Sequence, residues 1–137
     1  MSRQPDVFRD GLASGWKVLG ADLGSVPESL SCDVLIVGSG NVVHNLRLTR
    51  RGTAANEAYD WATEFDTVVQ EQIKKGQLGA LQDFQKLGAV AQQAHPTYEH
   101  YLPLLYAAGA VESSEMPRFF NTGYQSASIS MRSVLWG

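Results

Sequence analysis

The first strong pattern of apolar positions is the unbroken run Val34, Leu35, Ile36, Val37 inside "CDVLIVG" (32–38). Apolar and β-branched residues without alternation, closed by a glycine, predict a strand buried on both faces, as in a parallel sheet covered by helices. The period then changes. In "NEAYDWATEFDTVVQEQIKKG" (56–76), Ala58, Trp61, Ala62, Phe65, Val68, Val69 and Ile73 fall at helical spacing, with Lys74, Lys75 and Gly76 as a stop. A shorter helix is expected over "LGALQDFQKLG" (78–88), with Leu78, Leu81, Phe84 and Leu87 on one stripe.

A third helix is expected within "HPTYEHYLPLLYAAGA" (95–110). Pro96 breaks the chain before it, Thr97 can cap and Gly109 can end it. Pro103 then lies inside, so a kink or loosened turn is expected near the helix start. The tail "SASISMRSVLWG" (126–137) predicts a last strand. Residues 1–32 carry Gly11, Gly15, Gly20, Gly24 and Pro27, which weaken a short helix expected over about residues 6–19. Strand, helices and strand give an α/β pattern, with a sheet thin for its class.

Composition narrows the classes. The 137 residues are one domain's worth, and 44% hydrophobic with 18% charged residues is a globular balance. A net charge of -3 and a pI near 5.5 argue against a nucleic-acid partner, which needs clustered basic residues. The densest basic stretch, "RLTRR" (47–51), reads as a solvated loop. No apolar run approaches the roughly 18 residues of a membrane span, and the N-terminus lacks a signal-peptide apolar region. Cys32 is the single cysteine, so no intrachain disulfide forms, and it is expected to be a small buried residue. The compartment expected is the cytoplasm.

Candidate chemistry gathers at "GSGNVVHNLR" (38–47), at the carboxyl end of the expected strand, where α/β sheets bind ligands. A nucleotide loop is unsupported, because position 43 is valine and no G-K-[ST] follows. Ser39 in G-S-G is no hydrolase elbow. Glu57, Asp60, Glu64 and Asp66 are read as solvated, and Trp61, Phe65 and Tyr101 as core. Three histidines remain: His44 on the glycine-rich loop, His100 expected in the first turn of a helix, and His95, which reads as part of a turn. Two imidazoles from separate elements suit a mononuclear metal site, which ordinarily takes three protein ligands.

"LIVGSGNVVHNLR", "HPTYEHYLPLLYAAGA" and "SISMRSV" together resemble the C-terminal half of the class III extradiol ring-cleavage dioxygenases. The branch they resemble is the bacterial 4,5-DOPA extradiol dioxygenase group of the LigB superfamily. The resemblance covers residues 33–137 and leaves 1–32 poorly matched. It implies an α/β fold, here a partial LigB-like domain with a mainly parallel or mixed sheet flanked by helices. It implies a non-haem metal, Fe(II) expected and Zn(II) also suited to histidine ligation, and insertion of O2 into a catechol-type, DOPA-like substrate. It implies that His44 is a metal ligand or the acid/base and that His100 is a metal ligand. No role passes to His95.

Such an acid/base would take a catechol proton and later return one, and the Gly-Ser-Gly turn is expected to let backbone approach substrate. The family's N-terminal half carries a G-H-G-S-P-type loop and further ligand histidines, whereas residues 1–32 hold no histidine. The resemblance therefore implies a truncated or split catalytic domain that self-associates or pairs with a missing N-terminal half. The alternative is a non-catalytic relic or interaction module that keeps the fold.

Overall fold

The computed structural model describes residues 34–54 and 56–137. The helix expected near residues 6–19, and Cys32, lie outside the described residues. In chain order the elements are a 3-10 turn at Leu46–Leu48, helix α1 at Asp60–Lys74, a 3-10 helix at Leu78–Leu87, α2 at Ala89–Ala94 and α3 at Leu102–Gly109. Four short strands follow: β1 at Pro117–Phe120, β2 at Tyr124–Gln125, β3 at Ile129–Ser130 and β4 at Ser133–Trp136. The class is α/β.

The core forms where helical periodicity is strongest. In α1, Ala62, Phe65, Val69 and Ile73 are buried against Leu81, Phe84, Ala91, Ala94 and Tyr101, with Val42 and Val43 closing the same cluster. Asp60 stands in the first turn of α1 and Lys74 in the last, each matching the helix dipole. Gly76 ends the run at φ +67°, a conformation that costs glycine nothing. The segment 78–87 is a 3-10 helix bent at Asp83, where an α-helix is expected. Its stripe has a strict spacing of three, which three residues per turn align on one side; Leu81 and Phe84 are its buried members.

Four further expectations are corrected. Pro103 stands in the first two positions of α3, where no intrahelical hydrogen bond is lost, so it neither lies inside the helix nor loosens a turn of it. The Thr97 hydroxyl donates to the Glu99 carboxylate and caps nothing. The tail forms two short strands: β3 pairs with β2 and β4 with β1, both antiparallel. Among the described residues the only parallel pairing is the isolated bridge Ala58–Ala127, so the mainly parallel sheet is not seen.

The largest departure is at Val34–Val37. These residues form no strand and are between 55% and 78% exposed. A strand buried on both faces needs neighbours to pair with and layers to cover it, and no described residue supplies either. The carboxylates also divide. Glu57 pairs at the surface with Arg50, whereas Asp66 is fully buried. It accepts hydrogen bonds from Ser130 Oγ at 2.6 Å, Arg132 Nε at 2.8 Å and Arg132 Nη2 at 2.5 Å. Asp66 belongs to the apolar stripe of α1, one position from Phe65, and a charge there survives only with a partner. The pair ties β3 and the chain after it to α1. Among the described residues no helix is long and apolar enough to cross a membrane.

Candidate metal and acid/base site

The chain leaves the exposed Val34–Val37 segment through Gly38, Ser39 and Gly40, and the reason for both glycines is contact. A Cβ on Gly38 would stand 2.6 Å from the Pro103 carbonyl oxygen, and one on Gly40 would overlap that of His100. The two glycines bring the loop onto the chain's own 100–103 segment.

Hydrogen bonds continue that contact. The Asn41 amide donates to the His100 carbonyl at 2.8 Å and the His44 amide to Ala94 at 2.9 Å. The Asn45 side chain donates to the Gln93 carbonyl at 2.6 Å and, through its oxygen, caps the following turn by accepting from the amides of Arg47 and Leu48. The other side of the loop is held by β3 and the residues around it. Asn41 Nδ2 donates to the Ser130 carbonyl at 3.0 Å, the Ser130 amide to Val43 at 3.0 Å, and the Asn45 amide to Ser128 at 3.2 Å. The loop that carries His44 is thus bonded on both flanks.

This arrangement brings His44 and His100 together. Their rings stack with centroids 3.6 Å apart and planes 22° apart, and both side chains are half-buried. His100 lies in the turn before α3, not in the first turn of the helix. Burial, then the neighbouring His100, push the His44 pKa below its ordinary value, while Glu99 opposes them. The His44 imidazole is therefore held neutral at pH 7, the form that ligates a metal or accepts a proton. Glu99 is exposed, and its carboxyl is held low by the Thr97 hydroxyl and by its own amide.

The donor set fits a metal in kind and falls short in number. Two imidazoles side by side are competent ligands in kind, but stacked rings do not aim their in-plane lone pairs at one point, so ligation requires a ring to turn. Among the described residues no group of three His, Cys, Asp or Glu side chains is placed to hold an ion. His95 does not join the pair. It is 1% exposed, packed against Phe65, Phe84 and Tyr101, with Nε2 bonded to the Val42 carbonyl at 2.7 Å. Burial lowers its pKa to about 4.

Sequence reasoning missed the participation of His95, Asn45, Ser128 and Ser130. For Asp66 a signal was present, since its position shares the buried stripe of α1. For His95 none was, because a His-Pro pair reads as a turn whatever lies beneath it.

Comparisons with known proteins place the chain in a family. The profile of the family described as the catalytic LigB subunit of aromatic ring-opening dioxygenase matches residues 16–134. The 4,5-DOPA dioxygenase extradiol of Escherichia coli K12 is 35% identical over 108 residues, covering 76% of this chain and 39% of that protein. The protein of the same name from Mirabilis jalapa is 36% identical over 77 residues, covering 56% of this chain and 28% of its own. A crystal structure of the uncharacterized protein JW3007 from E. coli K12 superposes with a TM-score of 0.62 at 35% identity, over 70% of this chain and 40% of that one. The chain spans at most two-fifths of the length of each of these relatives.

Proposed function

The chain belongs to the LigB family of aromatic ring-opening dioxygenases, and from that premise we propose that it supplies His44 and His100 to a site that opens a catechol-type, DOPA-like ring with O2. The observation that carries the reading is the face-to-face approach of these two imidazoles from separate parts of the chain. Fe(II), or Zn(II) in its place, would be held by this pair, and Fe(II) would supply open positions at which a catecholate and O2 meet.

The work of the chain's own residues follows from the geometry. His44 is neutral, so an unprotonated ring nitrogen can accept the proton of a catechol hydroxyl and later return it. The nearby His100 ring disfavours a lasting charge on His44, which keeps the proton exchangeable. Ligation and proton transfer both draw on the same neutral imidazole, so the lowered pKa serves either role the resemblance gives to His44.

Two ligands do not complete a site. We propose that the remaining ligands come from the N-terminal half of a LigB domain, packed over the Val34–Val37 segment that no described residue covers, with self-association as the competing arrangement. A reducing cytoplasm, which keeps iron as Fe(II), is the compartment this chemistry suits. A non-catalytic module is the second reading, favoured by the lack of a third ligand among the described residues.

Anaerobic Fe(II) titration followed by O2 uptake with L-DOPA separates the two, with and without the N-terminal half of a family member. Metal binding and uptake that vanish in both His44→Ala and His100→Ala support the enzyme. No uptake in any combination supports the module.

A further inference from the structure

Four hydrogen bonds sew the 41–45 loop to the 93–100 segment, and they are not equivalent. Those from the amides of Asn41 and His44 are main-chain bonds that almost any residue could make. The Asn45 side chain acts at the loop's exit, where it also caps the next turn. The remaining bond, from His95 Nε2 to the Val42 carbonyl, is made by a buried side chain at the middle of the loop. We infer that His95 is a positioning residue, whose Nε2–H holds the Val42 carbonyl inward and so keeps His44 against His100. The inference rests on the reading of that pair as the functional site.

Val42 stands two residues before His44, and its carbonyl meets the buried His95 ring in the interior, where an unpaired acceptor is costly. The ring that serves it is fixed. Its centroid lies 4.9 Å from that of Tyr101, 5.5 Å from Phe65 and 6.1 Å from Phe84. Nδ1 of His95 is buried and has no partner among the described residues, so none of them offers a competing bond that draws the ring away. Donation to a carbonyl requires the proton on Nε2, which fixes the tautomer. With no donor at position 95, the carbonyl would rotate to find another, and the peptide leading to His44 would rotate with it. The ring of His95 therefore acts through Val42 and touches no substrate.

Three readouts on this chain test the inference, two of them independent of metal. Nitrogen-15 spectra of the unsubstituted protein should show His95 protonated at Nε2, with that proton protected from exchange. A proton on Nδ1 instead would overturn the inference whatever the variants do. Cross-relaxation between the His44 and His100 ring protons should be strong, lost in His95→Phe and kept in His95→Gln, which retains an N–H donor. Co(II) affinity should fall about tenfold or more in His95→Phe and recover to within about threefold in His95→Gln.

Ring contacts and affinity unchanged in His95→Phe would overturn the role. If His95→Phe does not fold, a folded His95→Gln that lost the ring contact would overturn it as well. Failure to bind Co(II) both alone and with the N-terminal half of a family member would sink the metal reading, while the tautomer and ring-contact measurements still judge His95.

Discussion

Two pairs of valines flank Gly38–Gly40 and meet opposite fates. Val34 and Val37 stand in solvent, while Val42 and Val43 are buried in the core. Hydrophobicity is the same on both sides, so it is not what decides. After Gly40 the chain meets the 93–100 segment, β3 and the aromatic cluster, and every peptide from Asn41 to Asn45 finds a bond or a packing partner. Before Gly38 no described residue offers the second strand or covering layer that an all-apolar segment needs. The candidate site lies on the buried side of this boundary.

The contrast breaks most sharply by charging each side. Val43→Asp should cost about 4 kcal/mol or more, enough to unfold a marginally stable chain, because it buries an unpaired carboxylate. Val37→Asp should change stability by less than about 0.5 kcal/mol and reduce self-association. Denaturant titration with sedimentation measures both. Equal costs at the two positions would mean that Val34–Val37 are covered in solution.

A smaller effect belongs to pH. The fold keeps His95 neutral down to about pH 4, whereas the unfolded chain protonates it near its ordinary 6.5. Between those values the unfolded state binds the extra proton, so stability is full above pH 6.5 and declines as pH falls to about 4. The contribution is about 3 kcal/mol. Unfolding free energies of the unsubstituted chain and His95→Gln across that window should diverge, with the variant showing the flatter profile. Parallel profiles would place the burial of His95 in doubt.

Smallest in stability, but closest to the site, is Gly40→Ala. Its methyl group overlaps the His100 carbonyl and should cost about 1–3 kcal/mol while separating the two histidine rings. Gly109→Ala, whose Cβ meets open space in α3, should be neutral or stabilising by about 0.5 kcal/mol. Thermal melts of the two variants give the comparison directly.

What the sequence revealed follows the same boundary. The stripe of α1 was legible because one helix face supplies its own period, and Phe65 and Tyr101 were legible as core because large aromatics seldom lie elsewhere. The spacing of three at Leu78, Leu81, Phe84 and Leu87 held the 3-10 geometry in plain view, although a helical stripe tolerates the same positions. The strand at 34–37 misled because pattern reports what a segment needs and not whether the need is met. β1 and β2 gave no signal, being four and two residues long with mixed burial. The approach of His44 to His100 could be named from family motifs alone, since no local rule brings positions 44 and 100 together. His95 was invisible for a related reason: its partner is a main-chain carbonyl, which leaves no mark on residue identity.

The most direct test of the central claim, that His44 and His100 serve one ion, is a double-mutant cycle read by anaerobic Co(II) titration. His44→Ala and His100→Ala should each lower affinity by about a hundredfold or more, and the double variant should lose little beyond either single one, because removing one ligand already removes the shared site. Losses that simply add, or an affinity indifferent to both substitutions, would contradict a shared ion and leave the two rings as a stacked pair without a metal.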